Sequence, residues 1–411
     1  MIKRRDFLKS MVGGIAAGAG GLLSSRSILS AAAATEFAEL PGVALESAIL
    51  ESLSGKKPLI KRTFRPPNFE TPLRDFNQQF TPNDVFYVRY HLANIPKIAV
   101  KDWVLKVGGE SVETPMELSL EALKKQFEVI EIAAVSQCAG NRRGLVQPHV
   151  QGIQWGYGAM GNAQWKGIRL KDILNQAGIK PDALEVVCNG ADSAPIAGTP
   201  DFVKSLPLRK ALDQNTLIAF EMNGEPLPHW NGYPARLVIP GWTATYWVKH
   251  LTSIDVIARP FDGYWMKTAY RIPRGAFPTA DKFLSQQTAT TTPITEMMVN
   301  SLITNLENGQ SFKLDQWIDV KGIAWDGGHG IEQVEVSLDE GKAWLQAKLG
   351  RDYGAFSWRQ WHFRFMPPKK GIHSLMAKAT NRIGVTQPFE LIQNPSGYHH
   401  NRVQKIKVSV V

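Results

Sequence analysis

The sequence predicts an α+β chain in which a mixed α/β domain precedes an immunoglobulin-like β-sandwich. Three observations carry this. Through the first two thirds, short apolar runs of strand type alternate with segments of helical spacing. A stretch from Thr279 to Thr295, rich in Thr, Gln and Ala, then breaks the pattern. Beyond it the helical spacing stops and apolar residues alternate with polar ones, as in strands with one face buried in an antiparallel sandwich.

The elements follow in order. Residues 1–34 read as an export signal: a basic start (Lys3, Arg4, Arg5), a Gly- and Ala-rich apolar run from Met11 to Leu23, and Ala31 to Ala34 as the cleavage region. The run is shorter than the roughly 20 residues that span a bilayer, so no membrane span is expected in the mature chain. Arg4-Arg5 with Phe7-Leu8-Lys9 resembles a twin-arginine address; an ordinary secretory signal with two chance arginines is the alternative. Either implies the twin-arginine or general export machinery as a partner and the periplasm as destination. Residues 35–75 contain several prolines and little periodicity, and read as an irregular arm. Strands are expected over 85–90, 103–107, 129–135, 184–188 and 216–221. Helices are expected over 118–127 with Ser119 as N-cap, over 170–177 with Gly178 as stop, and over 206–212. These set the first domain at 76–285. Alternation at Val334, Val336 and Leu338, at Trp361, Phe363 and Phe365, and at Leu375, Ala377 and Ala379 sets the sandwich at 286–411.

Composition bounds the function. The formal charge is +10, of which Lys3, Arg4, Arg5, Lys9 and Arg26 against Asp6 supply four. The remaining excess suits a small anionic substrate or an acidic partner surface. Its scatter along the chain argues against nucleic acid. The two cysteines, Cys138 and Cys188, differ in context: one follows a strand in a polar loop, the other ends an apolar strand. Cys188 reads as a small buried apolar residue, although one bridge between them is arithmetically available. Without a Cys-x-x-Cys-His motif, no covalently attached haem is expected.

The most informative segment is Val135-Ser136-Gln137-Cys138-Ala139-Gly140-Asn141-Arg142-Arg143. Nearby guanidinium groups favour thiolate, which binds soft metals or attacks electrophiles; a buried structural cysteine beside a basic loop has equal standing on these residues alone. The run Gln137 to Arg143 resembles the signature of the sulfite oxidase family. Gly152 to Gly167, Phe86 to His91, and Asn223 to Gly241 are similar to further family segments, so that the resemblance spans nearly the whole mature chain.

The resemblance implies a molybdenum-molybdopterin cofactor with one pterin per metal and Cys138 as the protein ligand. Arg89, Arg143 and Tyr270 would line a substrate pocket, with Trp155 as a further wall and His91 facing the pterin or the pocket. Planar guanidinium donors suit an oxyanion. The matching positions for pterin and phosphate are Tyr87, Val88, Arg89, Tyr90, His91, Asp192, Asn231, Arg236, Trp247, Val248 and Lys249. Asn231 stands where several relatives have His, and Asn394 to Gly397 lacks an arginine that some relatives bring toward the substrate. The implied activity is oxidation of sulfite to sulfate, with electrons passed singly to a cytochrome c or a haem c subunit, and the implied assembly is a homodimer through the sandwich or a heterodimer with that subunit. The alternatives are a molybdenum-dependent methionine sulfoxide reductase of the periplasm and a catalytically inactive binding protein.

Overall fold

The computed structural model describes residues 50–278 and 282–411; the expected export signal, the first part of the arm and residues 279–281 lie outside them. From residue 50 onward the arm is not irregular, contrary to expectation. Leu50–Glu51, Leu59–Thr63 and Asn68–Glu70 pair in sequence and join Val88–Arg89 in a four-stranded antiparallel sheet. The strands are too short to show a period, yet Leu59, Phe69 and Val88 are fully buried against one another. Burial, not periodicity, orders them.

Two five-stranded sheets form most of the rest of the first domain, and Arg271–Pro273 pairs separately with Thr291–Pro293. In one, Lys204–Pro207, Glu185–Gly190, Leu251–Ile257, Val104–Gly108 and Met116–Ser119 lie side by side, with a single parallel pair between Leu251–Ile257 and Val104–Gly108. In the other, Val129–Gln137 pairs with Met160–Arg169, which pairs with Leu217–Met222; that strand then takes Glu225–Pro226 and Arg236–Val238. Helix Leu120–Gln126 begins at Ser119, whose hydroxyl accepts the Ala122 N–H. Helix Leu170–Ala177 stops at Gly178 with φ 73°, a conformation that glycine adopts without steric cost. The helix expected over 206–212 shrinks to one turn, Leu208–Ala211. Pro207 ends the preceding strand there, because its ring excludes it from a helix interior.

The C-terminal part is the expected sandwich. One sheet runs Asn300–Ile303, Ile318–Trp325, Arg359–Phe365, Lys348–Leu349; the other runs Ser311–Phe312, Gln404–Val410, Gly371–Asn381, Ile331–Ser337, Leu345–Gln346. Val334, Val336, Trp361, Leu375, Ala377 and Ala379 all face the shared core. Cys188 is fully buried in the core of the first domain, and both cysteines are unbridged.

The described residues form one compact unit rather than two separated ones. A distinct apolar cluster explains this: Phe76, Val135 and Met160 from the first domain pack with Leu302, Ile323, Trp325 and Trp358 from the sandwich. Leu302 is completely buried in that seam. Leu302→Ala should therefore cost about 2–5 kcal/mol, seen as a lowered denaturant midpoint, whereas Ile372→Ala, at a position 76% exposed, should change stability by less than about 0.5 kcal/mol.

Candidate active site

The site is built around the loop that follows strand Val129–Gln137. Cys138 stands at the first position past that strand, its N–H donated to the Ala159 carbonyl at 2.9 Å and its own carbonyl accepting the Asn141 N–H at 2.9 Å. The sandwich holds both flanks of this loop. On one side Trp325 Nε1 donates to Gln137 Oε1 at 2.5 Å. On the other, Arg142 reaches Asn300 Oδ1 at 3.0 Å and the Arg402 carbonyl at 2.8 Å, while Arg143 Nε donates to the Ser396 carbonyl at 2.7 Å. A Cβ at Gly140 or Gly152 would collide with the Arg143 guanidinium, so both glycines make room for it.

An open cleft lies beside Cys138. Of the positions singled out in the sequence, it brings together Tyr87, Arg89, Tyr90, His91, Cys138, Asp192, Asn231, Arg236, Trp247, Lys249 and Tyr270. Four others do not line it. Val88 is fully buried on the far side, in the sheet where it pairs with Phe69. Val248 is buried behind the wall, its carbonyl taken by the Leu237 N–H. Trp155 is fully buried in the core beneath the loop. Arg143 sits one ring back, over Tyr398 at 5.1 Å, and Tyr398 stacks on Tyr270 with centroids 5.5 Å apart.

At one end of the cleft, His91 Nε2 and the Tyr270 hydroxyl share a hydrogen bond. His91 is sandwiched flat on Phe202 at 3.6 Å. Burial, together with the charges of Arg89, Lys249 and Lys204, holds its imidazole neutral, well below the ordinary range. The Tyr270 phenol is pushed up by burial, against the pull of the Arg89 charge. Tyr270 also has φ 58°, a left-handed conformation that costs a non-glycine residue about 1–3 kcal/mol.

The other end is cationic. Arg236 donates to the carbonyls of Asn231 at 2.9 Å and Trp247 at 3.1 Å, and it lies between the rings of Trp165 and Trp247. Burial lowers it to about 10. Lys249 donates to the Arg89 carbonyl at 2.5 Å and covers the face of Tyr90; burial and then Arg236 push its amine well down. Among the described residues the one carboxylate lining the cleft is Asp192, raised to about 6 by burial against the pull of Lys249.

Sequence reasoning passed over several lining or supporting groups. Phe202 and Thr245 line the cleft, and neither sits in a pattern that distinguishes it from a core residue. Lys204, buried, donates to the Trp265 carbonyl at 2.7 Å beneath Tyr270. Tyr398 belongs to the run Gly397-Tyr398-His399-His400, whose crowding of rings was a usable signal.

Residues 91–265 match the family model described as an oxidoreductase molybdopterin binding domain, and residues 291–411 match that of a Mo-co oxidoreductase dimerisation domain. Sulfite oxidase of Gallus gallus is 34% identical over 340 residues, which cover 79% of this chain and 72% of that protein. The chain belongs to the sulfite oxidase family. Mitochondrial sulfite oxidase of Drosophila melanogaster is 35% identical over 379 residues, 86% of this chain and 63% of that protein, so the chain spans less than two thirds of that relative's length. NADH nitrate reductase 1 of Oryza sativa subsp. japonica is 32% identical across 87% of this chain and 40% of its own. The crystal structure of the sulfane dehydrogenase SoxCD from Paracoccus pantotrophus shares the fold, with a TM-score of 0.72 over 98% of this chain and 96% of that one at 23% identity.

The cleft fits the cofactor of the sulfite oxidase family. Arg236 Nε and the Thr245 hydroxyl are buried without a hydrogen-bond partner, which leaves donors for an anionic, polar guest. Among the described residues no group of three or more His, Cys, Asp or Glu could hold a bare metal ion. A metal beside Cys138 therefore depends on ligands that the cofactor brings.

Acid sensitivity follows from the buried histidines around the site. His250 donates from Nδ1 to the Tyr233 carbonyl at 2.7 Å, so its Nε2 accepts from the Tyr90 hydroxyl at 2.7 Å; His399 packs on Phe277. Burial lowers each to about 3. Above the unfolded value of about 6.5 neither folded nor unfolded chain takes up these protons. Between about 6.5 and 3 only the unfolded chain does, and stability falls by up to about 1.4 kcal/mol per pH unit for each. Urea midpoints between pH 7 and pH 5 should drop accordingly, and His399→Phe should remove one such contribution from the slope.

Proposed function

We propose that this chain is a sulfite dehydrogenase of the periplasm, which oxidises sulfite to sulfate and passes the electrons one at a time to a cytochrome c. The observation that carries the reading is a single thiol, Cys138, in a cation-rich cleft also lined by Arg89 and the neutral His91–Tyr270 pair. That is the donor set a small oxyanion needs beside a thiolate-held metal.

In this reading Cys138 holds the molybdenum. Asn231, Arg236, Thr245, Trp247 and Lys249 hold the pterin and its phosphate. When bound, the cofactor supplies oxygen-atom transfer and a store for two electrons. The chain's own part is to bind and orient the anion. Arg89 supplies a permanent charge. Tyr270 supplies a neutral donor, provided the shared hydrogen bond runs the right way. With the hydrogen on His91 Nε2, the imidazole donates to the phenol oxygen, and the Tyr270 O–H turns to sulfite. Burial keeps both groups in the required uncharged forms. Phe202 and Tyr398, packed on His91 and Tyr270, exclude water from the pair and hold its geometry.

Two features of the sequence support the rest. The basic start with Arg4-Arg5 suits export of a folded, cofactor-loaded protein. The two cysteines fall short of a Cys-x-x-Cys-His motif within these 411 residues, which favours a separate haem protein as acceptor.

The purified chain should reduce cytochrome c when given sulfite and carry about one molybdenum per chain. Cys138→Ser should abolish turnover, and Tyr270→Phe should lower kcat/KM roughly 100-fold, the loss expected for one positioned donor. A molybdenum-loaded protein inert to sulfite but active on nitrate or methionine sulfoxide would overturn the reading. Export is tested separately: replacing Arg4 and Arg5 by Lys should hold the precursor in the cytoplasm, as read by cell fractionation, and unchanged export would rule out the twin-arginine route.

A further inference from the structure

Lys56 belongs to the arm, outside every motif that the function absorbs, and it lies against the floor of the cleft without lining it. Its side chain is 7% exposed. The amine donates to the Asn83 carbonyl at 2.6 Å, the Phe86 carbonyl at 3.0 Å and Asn231 Oδ1 at 2.6 Å. All three hydrogens are thus spent on neutral acceptors. No carboxylate pairs with it among the described residues; the nearby Asp84 is taken by Lys57 at 2.8 Å. Burying an ammonium this deeply without a directly paired carboxylate is expensive, and burial, offset in part by the charge of Asp84, lowers it to about 7. A cost of this kind needs a return.

The return is visible at Asn231. An asparagine amide presents an oxygen on one side and two N–H groups on the other, and its neighbours decide which way it turns. Here Lys56 is donor-only, so it claims Oδ1. The Tyr87 carbonyl is acceptor-only, so it claims one Nδ2 hydrogen at 3.2 Å. Both neighbours dictate the same orientation. What Asn231 has left for the cleft it lines is its second N–H, with the Lys56 amine donating 2.6 Å behind the amide oxygen. The backbone carbonyl of the same residue is held by Arg236, so the polarised amide and the guanidinium converge on one place.

We propose that Lys56 is a positioning residue for the anionic end of the cofactor: it locks the Asn231 amide with N–H toward the phosphate and polarises it, so that a neutral side chain binds as a charged donor would. The inference rests on the cofactor reading above. It also gives the arm a task, since Lys56 lies between Leu50–Glu51 and Leu59–Thr63 and is held in place by their sheet.

The test compares cofactor retention with folding. The full chain is purified from cells that make the pterin cofactor, and molybdenum and pterin per chain are measured before and after prolonged dialysis, alongside the thermal midpoint. Lys56→Gln and Lys56→Met should each lose the cofactor about ten-fold faster than the unaltered chain, the loss expected for one charge-assisted hydrogen bond. Because Lys56 acts through Asn231, adding Lys56→Gln to Asn231→Leu should bring no further loss; a purely structural lysine would give additive losses. Retention within two-fold of the unaltered chain, additivity in the double variant, or failure of both Lys56 variants to fold would each overturn the proposal. An unaltered chain that carries no pterin at all would instead overturn the cofactor reading on which it stands.

Discussion

Buried positive charge is the constraint on which this molecule turns. Lys56, Lys204 and Arg236 are buried and Lys249 is half-buried around one cleft, and among the described residues a single carboxylate, Asp192, lines it. Desolvation depresses every one of these bases. Carbonyl oxygens and aromatic faces offset part of that cost, as Arg236 between Trp165 and Trp247 illustrates, but dipoles and quadrupoles do not neutralise a charge. The balance is left to an anionic guest. Binding such a guest to the folded chain alone stabilises the fold by mass action, so cofactor loading and folding are one equilibrium here. On the proposed twin-arginine route, loading before export then serves stability as well as catalysis.

The same physics explains the neutral pair at the other end. A histidine beside carboxylates would be protonated and would bind anions by charge. His91 is desolvated and faces Arg89, Lys249 and Lys204 instead, so it stays neutral beside Tyr270. In the proposed reaction charge and direction are thereby divided between residues: arginine and lysine would attract, and the His91–Tyr270 pair would aim.

The sandwich is part of this machinery. Gln137, Arg142 and Arg143, on either side of Cys138, each take or give a hydrogen bond to residues between 300 and 402, and Tyr398 closes the wall behind Tyr270. A domain matched by a dimerisation model thus also sets the position of the loop that carries the thiol. Arg143 shows what this does to a motif. It was expected at the cleft wall, yet the Ser396 carbonyl and the Tyr398 ring hold it one layer back.

Much was legible in the chain itself. Strand and helix periods located the sandwich, the Ser119-capped helix and the Gly178 stop, because those signals are local. The chemical types at the site, a thiol followed by guanidinium groups and a cationic stretch downstream, were equally plain, since a side chain carries its donors wherever it goes. What the tertiary structure alone decided is how those groups are charged and where they point. The arm read as irregular because its strands have no period, and only contact with Val88 and Tyr90 orders them. Lys56 carried no signal because its role consists of three acceptors, two of them 27 and 30 residues away and the third 175. Burial and long-range contact set protonation, amide orientation and reach, and these are properties of the packed chain that no residue possesses alone.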